Sequence, residues 1–130
     1  NSPSEWNWWI RCHPTKIGNL DELEEKLSAF SRRVNLKEVS LTHLPLLLGK
    51  ADVHITGWSA VTYDALSFGL KTILVHPSAK QFFEPLILTE QVFYLEKCEE
   101  ILSCIKSSQK DLRFDCSSSK YESVKDLLRN

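Results

Sequence analysis

The sequence predicts an α/β protein built as a three-layer, doubly wound, mainly parallel sheet of about five strands. Three observations lead there. Short apolar runs alternate with amphipathic stretches, which implies parallel strands joined by helical crossovers. Residues 51–75, ADVHITGWSAVTYDALSFGLKTILV, contain a whole strand–turn–helix–strand unit. The polar groups His13, Gly57-Trp58-Ser59 and His76 all follow apolar runs. They therefore fall at the carboxyl ends of strands, where such sheets hold ligands at points of reversed strand order.

Each element follows in order. Trp8–Cys12 is a first strand, ended by His13-Pro14-Thr15. Asn19 or Asp21 then caps an amphipathic helix in which Leu20, Leu23, Leu27 and Phe30 share one face. Its early Glu22, Glu24 and Glu25 and its late Arg32-Arg33 suit the helix dipole. Val34–Val39 is a short second strand. Thr42 starts a helix through Leu48 and Gly49, with Pro45 tolerated in the first turn. The 51–75 unit supplies strand Asp52–Thr56, helix Ser59–Phe68 closed by Gly69, and strand Thr72–Val75. His76–Glu84 is a loop, Pro85–Thr89 a short helix, and Gln91–Leu95 a fifth strand. Glu99–Ser107 is a helix with Ile101, Leu102 and Ile105 inward. A serine-rich loop, Ser107–Ser119, surrounds a short extended piece at Arg113–Cys116, and an amphipathic helix, Tyr121–Leu128, comes last.

At 130 residues the chain fits one domain, residues 1–130, large enough to bury a core without staples. A net charge of −1 argues against a nucleic-acid or membrane-surface binder, both of which need a basic excess. Cys12, Cys98, Cys104 and Cys116 show neither zinc-site nor C-x-x-C spacing, so reduced thiols in a cytoplasmic protein are expected. No apolar run reaches the ~18 residues of a membrane span, and no signal peptide opens the chain. Methionine is absent, position 1 included, so an excised domain is expected.

The candidate chemistry is phosphate binding without a metal, because no P-loop lysine signature, H-E-x-x-H pair or Ser-His-Asp order is present. The Gly57–Ala60 turn lacks the three glycines of a dinucleotide fingerprint. Gly57 allows a tight turn or a close approach. Ser59 can offer its hydroxyl to a phosphate, with the Ala60 and Val61 amides beside it, or it can simply cap its helix with the same groups. Pro14 fixes the direction of His13, which is either a phosphate donor and acid for a leaving group or a histidine in a turn. Arg11 and Lys16 are either solvated or add positive charge. His76-Pro77 lines a base or sugar pocket or forms a structural turn. Glu84 can accept ribose hydroxyls or stay solvated. Trp58 can shape a ligand pocket, whereas Trp6, Trp8, Trp9 and His54 read as packing and His43 as exposed.

Arg11-Cys12-His13-Pro14, Ala51-Asp52-Val53, Thr56-Gly57-Trp58-Ser59, Tyr63-Asp64-Ala65-Leu66 and Gly69-Leu70-Lys71-Thr72 resemble the C-terminal, donor-binding half of GT-B glycosyltransferases. The likeness spans roughly residues 8–106 and is closest to bacterial capsule-type sialyl- and polysialyltransferases and to CDP-glycerol glycerophosphotransferases. It implies a Rossmann-like fold and a nucleotide-activated sugar of CMP or UDP type as donor. It implies cytoplasmic work in surface polysaccharide or glycan synthesis, including at the inner face of the membrane. It puts His13 and Ser59 together on the donor phosphate, with His13 as the catalytic group. The pattern often has a second small hydroxyl residue where this chain has Trp58. Such an enzyme also needs an N-terminal acceptor-binding domain of the same protein, so the isolated chain is expected to be inactive. A sugar-nucleotide epimerase or glycerophosphotransferase domain and a non-catalytic α/β binding module are the alternatives. An epimerase of this fold carries a Ser-Gly-Gly turn that is missing here.

Overall fold

Two small parallel sheets organise the chain, and a computed structural model describes residues 3–29 and 33–109. Backbone contacts divide the chain into two compact units, Asn1–Leu47 and Leu48–Asn130. The α/β class, the parallel pairing and the five strands agree with the sequence. The strands form one two-stranded and one three-stranded ladder. Phe30, Arg32, the Arg113–Cys116 piece and the Tyr121–Leu128 helix lie outside the described residues.

In the first unit, β1 (Trp8–Trp9) pairs in parallel with β2 (Val34–Asn35), with Trp8 opposite Val34. The ladder continues where the Ile10 amide donates to the Asn35 carbonyl at 2.9 Å. A 3₁₀ turn (Pro14–Asn19) leads directly into helix α1 (Leu20–Ser28). Neither proposed cap acts at that junction: Asn19 makes no side-chain cap bond, because the preceding turn already runs into the helix. Leu20 is the buried anchor of α1, and Glu22 and Lys26 pair at 2.6 Å on its wet side.

The predicted strand Val34–Val39 is corrected to the two residues of β2, followed by helix α2 (Lys37–Leu41). Leu36, Val39 and Ser40 are all buried, and their spacing of three and four belongs to a helix rather than a strand. Helix α3 (Leu44–Leu48) begins two residues later than predicted, since Thr42 ends α2 in an extended conformation. His43 is exposed, as predicted, and its carbonyl accepts the Leu46 amide at 3.1 Å.

In the second unit, β3 (Val53–Thr56), β4 (Lys71–Leu74) and β5 (Val92–Tyr94) form a parallel sheet in the order β3-β4-β5. Thr72, Ile73 and Leu74 are fully buried, as befits the central strand. Helix α4 (Val61–Ser67) connects β3 to β4. Helices α5 (Ser78–Phe82) and α6 (Glu84–Leu88) connect β4 to β5. Leu74, Ala79, Phe83 and Val92 make the core, with Leu66, Leu86, Ile87 and Tyr94 packed against it.

The predicted loop His76–Glu84 is thus largely the helix α5. Ala79 and Phe83, four apart, both enter the core, and Pro77 precedes the first helical residue, where a missing N–H costs nothing. Helix α7 (Glu100–Gln109) follows β5, with Ile105 buried and Ile101 and Leu102 half-buried.

Candidate functional site

The carboxyl edge of the three-stranded sheet carries the larger set of predicted site residues. The register sets Thr56 opposite Leu74, and the Val75 amide donates to the Thr56 carbonyl at 3.0 Å. The residues that leave β3 and β4 therefore emerge side by side. Gly57, Trp58, Ser59 and Ala60 leave β3, and His76 leaves β4 just beyond Val75.

The two exits touch. The Trp58 indole and the His76 imidazole lie 4.0 Å apart between centroids, tilted by 46°. His76 is held in turn, because the Ser78 amide donates to its Nδ1 at 3.2 Å. With Nδ1 accepting, the neutral ring carries its proton on Nε2. Trp58 stays 48% exposed, so it is seated on a fixed ring while much of its surface faces solvent.

Gly57 is not demanded by the backbone. Its φ is not positive, and a Cβ there would meet the His76 Cβ at 3.4 Å, an ordinary contact. The predicted tight turn at Gly57 therefore does not depend on glycine.

Ser59 precedes the Ala60 N-cap of α4, and its Oγ accepts the Val61 amide at 3.2 Å in a turn at the helix entrance. The Thr62 amide donates to the Ser59 carbonyl at 3.1 Å and the Tyr63 amide to the Ala60 carbonyl at 3.0 Å. The Val61 amide, expected to face a phosphate, is thus already engaged by Ser59. A hydroxyl that accepts still keeps its own proton to donate. Ser59 and Ala60 are both exposed and His76 is half-buried, so the Ser59 O–H and the His76 Nε2–H are hydrogen-bond donors on this edge, together with the indole N–H of Trp58.

Glu84 is exposed at the first position of α6, where a carboxylate suits the positive end of the helix. The solvated reading of Glu84 fits this position. Beside β5, sequence reasoning missed a second polar cluster. Lys80 pairs with Glu96 at 2.7 Å, and its ammonium lies 4.7 Å from the centre of the Tyr94 ring. The Glu96 carboxylate bonds Lys80 and raises its pKa, and the ammonium lowers that of Glu96. Both side chains are exposed, so the pair contributes little to stability. Its signal lay in the parallel topology, which sets the residues after β4 beside those after β5.

His13 and Pro14 belong to the first unit. His13 is exposed and caps the 3₁₀ turn: its Nδ1 lies 2.9 Å from the Thr15 Oγ1 and 3.4 Å from the Thr15 amide. Pro14 is the first residue of that turn, where its fixed φ is useful. An open cleft of about 420 Å³ lies beside them, lined by Cys12, His13, Asn19, Glu22 and Leu23. Arg11 is neither merely solvated nor aimed at a ligand. Its Nη1 donates to the carbonyls of Val39, Ser40 and Thr42 at 3.1, 3.1 and 2.8 Å, closing the end of α2. The Cys12 amide donates to the buried Ser40 Oγ at 3.1 Å.

Among the described residues the three-stranded sheet has the order β3-β4-β5, which contains no reversal and so no topological switch point. Cys12 and Cys98 are free thiols, and Cys116 lies outside the described residues. Among the described residues no cluster of three metal-ligating side chains occurs, and no helix is long and apolar enough to cross a membrane. The fold and this edge define an α/β chain with parallel sheets and a polar carboxyl edge. No family model, curated protein or solved structure matches the chain.

Proposed function

We propose that the chain is the nucleotide-sugar donor-binding domain of a glycosyltransferase, with the carboxyl edge of β3 and β4 as its donor site. The observation that carries this reading is the junction of the two strand exits, where Trp58 packs on His76 in the turn that bears Ser59. An aromatic surface next to two polar hydrogens suits a ligand with a flat or apolar part and an anionic part. His76 Nε2–H and Ser59 O–H would hold the donor phosphate. An N-terminal acceptor-binding domain would complete the enzyme, in surface polysaccharide synthesis. The related phosphosugar chemistries, epimerisation and glycerophosphate transfer, would use the same donor contacts.

One observation favours a second reading, a non-catalytic α/β module. The first amides of α4 are taken up by Ser59 and Ala60, so the turn is satisfied without a ligand.

Thermal stabilisation and NMR shifts with CMP, UDP, GDP, CDP and the matching nucleotide-sugars separate the two. The donor-domain reading expects one nucleotide and its sugar to bind, and His76→Ala and Ser59→Ala to weaken both. No response to any of them selects the module.

A further inference from the structure

We infer that Trp58 and His76 form a stacking platform for the nucleobase of the ligand, an inference that rests on the donor-site reading and names the part of the donor held here.

A single exposed aromatic on a protein surface is unremarkable. Trp58 differs because its seat is built. The indole rests on His76 at 4.0 Å, and His76 is pinned by the Ser78 amide at 3.2 Å. The Ser78 amide lies at the entrance of α5, whose Ala79 and Phe83 neighbours sit in the core. The ring pair is therefore anchored through one backbone hydrogen bond to a helix whose Ala79 is buried in the core. A ligand that stacks on Trp58 meets a side chain whose freedom is already restricted, which lowers the entropy lost on binding.

The chemistry around the platform favours a base over a sugar. A pyranose stacked on an indole needs carboxylate or amide side chains nearby to take its ring of hydroxyls. The residues flanking the pair along the chain are Gly57, Ser59, Ala60, Pro77 and Ser78, which bring hydroxyls and neither a carboxylate nor a side-chain amide. A nucleobase needs only a π surface and one or two polar contacts at its edge. With the His76 Nε2–H given to the phosphate, the neighbouring Ser78 hydroxyl is the polar group left for the base edge.

The test uses the 130-residue chain and six probes: UMP, CMP, the UDP- and CMP-linked sugars, ribose 5-phosphate and methyl α-glucopyranoside. Affinity is read by titration, and the site by the NMR shift of the Trp58 indole N–H. At least one nucleotide is expected to bind more tightly than ribose 5-phosphate and to move that signal. Trp58→Ala should weaken the nucleotide by roughly 5- to 150-fold, the range for losing one base–aromatic stack. Trp58→Phe should keep most of the affinity, and ribose 5-phosphate should bind both variants like the parent. Trp58→Leu, apolar but not aromatic, repeats the test if the alanine variant does not fold.

Nucleotides that bind Trp58→Ala as well as the parent overturn the platform. So do nucleotides that bind no better than ribose 5-phosphate, and so does Trp58-dependent binding of the glucoside alone. Trp58-dependent nucleotide binding without added affinity for the nucleotide-sugar supports the platform and removes the donor-domain reading. Nucleotide-sugar binding that ignores Trp58 does the reverse.

Discussion

The Arg11 guanidinium donates to the Thr42 carbonyl at 2.8 Å, and the same nitrogen reaches the Val39 and Ser40 carbonyls. The last carbonyls of a helix have no partner inside it, and a cation there also meets the negative end of its dipole. One side chain therefore closes α2 and ties it to the residues that follow β1.

Removing that cap should be measurable. Arg11→Ala is expected to destabilise the first unit by about 1–2 kcal/mol, the scale of a partly exposed hydrogen bond from a charged group. A merely solvated arginine would cost less than about 0.5 kcal/mol. Arg11→Lys keeps the charge but not the planar fork, and should fall between the two. Urea unfolding in a Trp58→Phe background reads this unit through Trp6, Trp8 and Trp9. The midpoint should fall while the slope stays constant. An unchanged midpoint for Arg11→Ala would remove the capping role.

Gly69 is the position where glycine is required. Its φ is +73°, just past the end of α4. The Gly69 amide donates to the Leu66 carbonyl at 2.9 Å and the Leu70 amide to the Ala65 carbonyl at 3.0 Å. These are the two bonds of a Schellman C-cap, with Leu70 buried beyond it. A Cβ would meet nothing within 4 Å, so the cost of substitution is conformational rather than steric. Gly69→Ala should destabilise by about 1 kcal/mol and Gly69→Asn by less, since asparagine enters this region more readily. Equal losses for the two variants in thermal or urea unfolding would contradict this account.

Most of this fold was legible because its signals are local. Gly69 marks the end of α4, and the Val-x-Ile and Thr-x-Leu alternations mark β3 and β4. What sequence missed depended on distant partners. Val34–Val39 looks extended until Leu36, Val39 and Ser40 are seen to share one buried helical face. Ser78–Phe82 looks like a loop until Ala79 and Phe83 enter the core. At the site, the individual residues were readable but their pairings were not. His76 meets Trp58 only because β3 and β4 are parallel neighbours, and Arg11 meets α2 because β1 and β2 are parallel neighbours too. Ser59 Oγ accepts the Val61 amide at the entrance of α4, which satisfies one of the two readings open in the sequence and leaves its proton for the other.

Thr62 offers a test of polar burial. It sits in the first turn of α4, fully buried, and its hydroxyl has no hydrogen-bond partner among the described residues. A buried hydroxyl without a partner costs roughly 1–3 kcal/mol relative to leaving it in water. Thr62→Val replaces the hydroxyl by a methyl of nearly the same shape and should raise stability by about 1 kcal/mol. Thr62→Ser keeps the hydroxyl, loses the methyl and should lower stability by about as much. Thermal unfolding of the three proteins gives the order directly. A destabilised valine variant would mean that the hydroxyl has work to do.

His54 makes the stability of the second unit depend on pH. It lies in β3 opposite Thr72, with its Nδ1 3.3 Å from the Thr72 Oγ1. Burial strips water from the charged form and lowers its pKa below the ordinary 6.5. The unfolded chain therefore takes up the proton first. Between the lowered value and 6.5 it holds more protons than the folded chain, and stability rises with pH across that window. The contribution is fully present above about pH 6.5, drains away on acidification through the lowered pKa, and changes no further below it. His54→Gln keeps a polar group facing Thr72 and removes the titration. His13, His43 and His76 remain in both proteins, so the difference between them isolates His54. Denaturant unfolding from pH 8 to pH 5 should show the parent losing stability relative to His54→Gln as pH falls below 6.5. Two curves that stay parallel across that range would mean that the His54 proton equilibrium is the same folded and unfolded.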